Sequence, residues 1–183
     1  MEKVIERKKG MPEGLAEIWL AGGCFWGAQK YLEGIRGVVS TSVGYANSRT
    51  ASPTYQEVCS HATGAAETVH VCYDSTRVSL GFLLSVFFKA IDPTSINQQG
   101  GDVGEQYRTG IYYTNEADAP AIHSAMDTLA RSLPKPVTIE VLLLVNYYLA
   151  EEYHQDYLKK NPEGYCHISD AMCKAAAQES EET

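Results

Sequence analysis

The chain has 183 residues, 44% hydrophobic and 21% charged, with a formal net charge of −8; this describes one globular domain and lacks the basic face that nucleic acid requires. No run approaches the roughly 20 apolar residues of a membrane helix; the longest, 141–145, is strand-sized, and so acidic a chain does not suit an anionic membrane surface. Five cysteines with no C-x-x-C pair and no zinc-like Cys/His spacing exclude a disulfide scaffold and point to inert or catalytic thiols in a reducing compartment.

The opening MEKVIERKKG has no apolar core of a secretory signal, so a cytoplasmic location is expected, and residues 1–13 read as a loose N-terminal segment. LAEIWLAGG (15–23) reads as a strand and CFWGAQKYLEGI (24–35) as a helix entered through glycines. GVVSTSVGYA (37–46) and AETVHVCYD (66–74) have the β-branched residues and alternation of strands. In SLGFLLSVFFKAI (79–91), Leu80, Leu83, Leu84, Phe87 and Ile91 form the stripe of a helix packed on a sheet. A strand at 106–114, a surface helix at 116–133 and a strand at 137–145 follow, then a short helix around EEYHQDYLKK and an irregular tail. The order contains β-α-β-β-α-β, which predicts an α+β fold: a two-layer, ferredoxin-like sandwich on a mixed sheet. The whole of 1–183 is one domain on this reading, with 161–183 a mobile tail carrying Cys166 and Cys173.

Two long polar loops, 48–64 and 92–106, attract attention because loops of that length are usually functional. Cys24 follows Gly22 and Gly23 and opens a helix, where unpaired amides and the positive dipole end favour a thiolate; a pKa below the free thiol's is expected. The plainer reading is a small core residue. Gly27 costs about 1 kcal/mol relative to Ala inside a helix, and Phe25 and Trp26, being adjacent, cannot both enter one core from the first turn, so one should line an opening. Glu67 shares a strand face with Val69, Val71 and Tyr73. It is either a buried carboxyl with a raised pKa, able to donate a proton near neutrality, or a solvent-facing residue just before the sheet. Tyr45, Tyr55 and Tyr107 lie in or beside the loops, where a phenol can donate to a ligand, and Asp102 sits in a glycine-rich turn. Together these suit attack on a small polar group carried by an apolar stem.

GCFWG (23–27) resembles the active-site signature of the A-type peptide methionine sulfoxide reductases. PTYQEVCSHATGAAETVHVCYD (53–74), DPTSINQQGGDVGEQYRTGIYY (92–113) and YYLAEEYHQDYLKKNPEGYCHI (147–168) resemble that family's other blocks, in its order. The resemblance covers about 15–168. It implies reduction of methionine S-sulfoxide, free or in proteins, with no cofactor or metal, by a monomer that thioredoxin regenerates. By the same resemblance Cys24 is the nucleophile, and Phe25 and Trp26 hold the substrate methyl group. Glu67 protonates the sulfoxide oxygen, Tyr55 and Tyr107 bind it, and Asp102 orders the pocket. Cys166, in GYC, matches the resolving cysteine. Cys173, seven residues on, could relay the oxidation to the surface or be a spectator, while Cys59 and Cys72 read as bland. The chain departs from the family pattern at Ser48, Ala65 and Gln98. A thiol peroxidase, for which Phe25 and Trp26 would be idle, and a non-enzymatic peptide-binding module are the alternatives.

Overall fold

The computed structural model describes residues 11–181. Most of the segment expected to be loose lies outside the described residues. The strands are β1 (Leu15–Ala21), β2 (Val38–Ala46), β3 (Ala66–Asp74), β4 (Gln98–Gln99), β5 (Asp102–Val103), β6 (Gly110–Tyr113), β7 (Glu140–Leu143) and β8 (Tyr147–Leu149). The helices are α1 (Phe25–Glu33), α2 (Tyr55–Cys59), α3 (Leu80–Phe88), α4 (Ala119–Arg131), α5 (Tyr157–Lys160) and α6 (Asp170–Gln178). Six strands form one mixed sheet in the order β7-β6-β1-β3-β2-β8, antiparallel throughout except for the parallel pair β6 and β7, while β4 and β5 form a separate hairpin.

The period of two in β1 divides its side chains between two apolar layers. Ile18 and Leu20 enter the main core with Phe25, Ala28 and Leu32 of α1 and Leu83, Leu84 and Phe87 of α3. Trp19 and Ala21 face the other way and pack with Ala46, Ala66, Tyr112 and Tyr147. Each large apolar side chain so buried stabilises the fold by about 1.5–3 kcal/mol before entropy is counted. The Ser79 hydroxyl caps α3 by accepting from the Phe82 amide at 3.1 Å, and Tyr31 of α1 donates to the Val86 carbonyl of α3 at 2.7 Å. The turn at the end of β1 is thereby held between rigid elements. Among the described residues no helix is long and apolar enough to cross a membrane.

Several elements differ from the sequence expectation. The strand expected from 106 begins at Gly110, because Glu105–Tyr107 forms a 3-10 turn after Gly104, whose φ is +148°. The loop 48–64 contains α2, whose Thr54 and Glu57 form a reciprocal capping box. The strand β8 was not expected at all. It is set by Asn146, whose side chain accepts from the Ser48 amide at 2.8 Å and donates to the Ser48 carbonyl at 2.9 Å. The tail is not irregular: α6 is capped by Ser169, whose hydroxyl accepts from the Met172 amide at 3.2 Å, and Ala176 is buried in the main core. Lys30 pairs with Asp170, Lys89 with Glu179, and the Ser79 amide donates to Glu181 at 2.8 Å, so the segment lies along α1 and contacts both ends of α3.

Candidate active site

Cys24 stands between the end of β1 and the start of α1. Gly23 has a φ of +80°, which L side chains rarely adopt, and a Cβ there would meet Gln99 Cβ at 2.7 Å. The turn delivers Cys24 to the N-cap position of α1, where its carbonyl accepts from the Ala28 amide at 3.2 Å. The side chain is only 8% exposed. The expected fall in its pKa does not occur. Burial pushes the thiol well up, the nearby Glu67 carboxyl adds to this, and the amides of Trp26 and Gly27 offset only part of it. The dipole at a helix start is worth about 0.3–1 kcal/mol when exposed, less than the cost of removing a thiolate from water. The resting site therefore holds a thiol.

Glu67 lies beside it on β3, 2% exposed, so the carboxyl faces inward, and its Oε2 accepts from the Phe25 amide at 3.0 Å. Burial raises its pKa to about 8; that hydrogen bond lowers it and the charge of Asp102 raises it further. At neutral pH the carboxyl is mostly protonated, and because Oε2 accepts from Phe25, Oε1 is the atom that holds the proton. Tyr107, which ends the 3-10 turn, and Tyr55, at the start of α2, both have phenols pushed up by burial, with Cys59 adding to the rise at Tyr55 and Glu67 to both. Asp102 of β5 accepts from the Tyr165 hydroxyl at 3.0 Å. Tyr45 does not join this group: it is fully buried and donates to Glu151 at 3.0 Å.

Phe25 and Trp26 diverge as adjacent helical residues must. Phe25 enters the core, its ring 5.8 Å from Tyr45 and 5.1 Å from His154. Trp26 stays partly exposed, stacked on Tyr157 at 3.7 Å and 9°, and its Nε1 donates to His154 Nδ1 at 2.9 Å. His154 is 1% exposed and lies 4.6 Å from the Tyr55 ring, and burial lowers its pKa, so the neutral ring accepts from the indole. Glu151 accepts from Tyr45 and from the Tyr55 amide, tying this aromatic wall to α2. Sequence reasoning missed His154, Glu151 and Tyr157. Their signal lay in EEYHQDY, whose glutamate and histidine stand three residues apart.

The C-terminal segment passes over the other side of the Cys24 turn. The Cys166 thiol donates to the Ile168 carbonyl at 3.0 Å, and a Cβ at Gly27 would lie 3.1 Å from its sulfur. The glycine thus opens the first turn of α1 to the tail, which accounts for a residue that is costly inside a helix. Cys173 sits half-buried in α6 with its pKa raised by burial. Of the three departures from the family pattern, Ala65 is buried in the core, Ser48 is clamped by Asn146, and Gln98 donates to the Gly100 carbonyl at 3.1 Å within the β4–β5 hairpin. Among the described residues no cluster of three His, Cys, Asp or Glu side chains is arranged to hold a metal. A hollow of about 690 Å³ between α3 and α4, lined by Leu80, Phe88, Ala125 and Leu129, contains none of these groups.

The chemistry available is thiol attack assisted by a neutral carboxyl beside an aromatic wall. The family pattern described as "Peptide methionine sulfoxide reductase" matches residues 16–183. The chain is 54% identical over 159 residues to peptide methionine sulfoxide reductase MsrA of Lachnoclostridium phytofermentans, covering 87% of this chain and 96% of that one. It is 54% identical over 154 residues to MsrA of Mycoplasma pneumoniae, covering 84% and 98%. Among solved structures, reduced Mxr1 of Saccharomyces cerevisiae superposes with a TM-score of 0.82 at 32% identity, covering 92% and 96%. Mxr1 has also been solved in complex with Trx2, and that chain matches at a TM-score of 0.59 and 23% identity over 83% and 91%, a likeness of fold. The chain belongs to the peptide methionine sulfoxide reductase family.

Proposed function

We propose that this chain reduces the S epimer of methionine sulfoxide, free or in proteins, with Cys24 as nucleophile and Glu67 as acid. The observation that carries this reading is a buried carboxyl, protonated up to about pH 8, hydrogen-bonded to the amide that follows the thiol. The substrate methyl group rests against Phe25 and Trp26, and the oxygen receives Glu67 Oε1–H and the hydroxyls of Tyr55 and Tyr107, with Asp102 ordering the pocket. The Cys24 sulfur attacks the sulfoxide sulfur, the Glu67 proton passes to the oxygen, and the thiol proton restores the carboxyl. The bond between Cys24 and the substrate sulfur then breaks as the hydroxyl passes from the substrate sulfur to Cys24; methionine leaves and Cys24 becomes a sulfenic acid, so the two electrons gained by the substrate come from one thiol.

Cys166 then displaces water from the sulfenic acid to form a disulfide, which requires the two Cα atoms to come within about 7 Å. Cys173 next attacks Cys166, frees Cys24 and places the disulfide on the tail. That exchange requires the first turn of α6 to loosen, since Ser169 and the Lys30–Asp170 pair now hold it. Thioredoxin is the reductant on this reading, a role supported by the existence of the yeast relative's complex with Trx2. The enzyme works as a cytoplasmic monomer in repair after oxidative stress, as a single domain. The order β6-β1-β3-β2 at the centre of the sheet, with α1 and α3 packed on one face, supports describing the core as a ferredoxin-like two-layer sandwich.

Turnover of a methionine S-sulfoxide peptide and of hydrogen peroxide, each with dithiothreitol, tests the reading. Sulfoxide is expected to be the preferred substrate; faster turnover of peroxide, or tight binding of sulfoxide without turnover, overturns it.

A further inference from the structure

His167 follows Cys166 in the chain and folds back over the Cys24 turn. Its Nε2 lies 3.2 Å from the Gly22 carbonyl oxygen. A carbonyl only accepts, so Nε2 carries the hydrogen and Nδ1 keeps its lone pair. Nδ1 is buried and has no hydrogen-bond partner among the described residues, an unfavourable condition for a buried polar atom. Two glycines create the space for the ring. A Cβ at Gly23 would lie 3.0 Å from Nε2, and a Cβ at Gly27 would lie 2.9 Å from Nδ1 and 3.1 Å from Cys166 Sγ. An unpartnered nitrogen lone pair and the tail thiol thus converge on one point against the first turn of α1.

We propose that His167 is the base of the resolving step: Nδ1 takes the Cys166 thiol proton as that sulfur attacks the sulfenic sulfur of Cys24, and returns it to the departing hydroxide. The S–H bond of Cys166 and the S–O bond of Cys24 break, an S–S bond and water form, and the imidazole ends neutral with no outside oxidant. The inference rests on the assignment of Cys24 and Cys166 made above. In the resting site the Cys166 thiol points to the Ile168 carbonyl, so the proposed transfer requires the thiol to leave that carbonyl and turn about its Cα–Cβ and Cβ–Sγ bonds toward Nδ1. Burial keeps the imidazole neutral and ready to accept. Asp102 on β5 is the charged group that acts on the ring; it also holds Tyr165, whose phenol feels Cys24 and Cys166, and Cys166 in turn interacts with Lys30 of α1 and Cys173 of α6. Asp102, as the nearby anion, favours the imidazolium that exists in transit.

Quenched single turnovers with an S-sulfoxide peptide and no reductant separate the two steps, since methionine reports the first and the Cys24–Cys166 disulfide the second. In His167→Gln, whose amide can still donate to Gly22, and in His167→Ala, disulfide formation is expected to slow at least tenfold relative to methionine release, with dimedone-trappable sulfenic acid accumulating. A positioned base typically contributes about 100- to 10,000-fold, so tenfold is a conservative threshold. The wild-type disulfide step should also slow as pH falls through the His167 pKa, which burial holds below the ordinary imidazole value of about 6.5, an inflection the variants lack. Equal slowing of both steps, which a purely structural ring would give, or an unchanged ratio between them, overturns the proposal. Failure of wild type to release methionine would refute the reductase assignment instead.

Discussion

The amide of Phe25 donates to Glu67 Oε2 at 3.0 Å, which joins the first turn of α1 to β3 one residue beyond Cys24. The bond satisfies one of the amides a helix start leaves unpaired and commits one carboxyl oxygen, so the other is free to give its proton to a substrate. Glu67→Gln keeps the accepting oxygen and loses the acid. Sulfoxide reduction at pH 7 is expected to fall about 100- to 10,000-fold, with partial recovery at lower pH where solvent supplies the proton. Initial rates from pH 5 to 8 measure this, and a variant as fast as wild type at pH 7 rules the acid role out.

The same group affects stability with a definite sign. Its folded pKa is about 8 against an ordinary value of 4.5, so between these values the folded chain holds a proton that the unfolded chain releases. Stability on this account falls as pH rises through that window. Glu67→Gln should raise Tm relative to wild type more at pH 8 than at pH 5. Equal differences at the two values would mean that Glu67 is ionised in the folded protein.

Trp26 is held by its stack on Tyr157 and by its hydrogen bond to His154 Nδ1. Trp26→Phe keeps an apolar ring and leaves that buried nitrogen without a donor, a loss of about 1–3 kcal/mol readable in urea unfolding. On the functional side, KM for the sulfoxide should rise more than kcat falls, because contact with the methyl group exists before and during reaction. Unchanged kinetics would make the indole a packing residue only.

The tail thiols separate by stage. Cys166→Ser should release one methionine per chain and then stall with thioredoxin, while small thiols restore part of the cycle by reducing the sulfenic acid directly. Cys173→Ser should keep the first turnover and the Cys24–Cys166 bond and slow only the thioredoxin-driven cycle. Normal cycling of Cys173→Ser, with peptide mapping of oxidised wild type showing only Cys24–Cys166, removes Cys173 from the mechanism.

How much of this was legible in the sequence follows from the range of the forces involved. The strands β1 and β3 and the helices α1 and α3 were readable because alternation and the Leu80/Leu84/Phe87 stripe are local consequences of burial on one face. The inward aim of Glu67 followed from parity with Val69 and Val71, once that face proved to be the core face. By contrast, β8 depends on Asn146 clamping Ser48, 98 residues away, and α6 on ion pairs to Lys30 and Lys89 that an alanine-rich tail does not announce. The raised pKa of Cys24 was misjudged for the same reason: the helix start is visible in the sequence, but the burial that outweighs it comes from distant segments. His154 and His167 are ordinary histidines until the fold brings one to the Trp26 indole and the other to the Gly22 carbonyl.

Whether Cys24 reduces the S epimer is decided by the methionine released per chain in the absence of reductant, from peptides carrying resolved S and R sulfoxide epimers. Wild type is expected to release methionine from the S epimer and little from the R epimer, and Cys24→Ser none. Release by Cys24→Ser at a tenth of the wild-type level or more, or equal release from both epimers, would contradict that assignment.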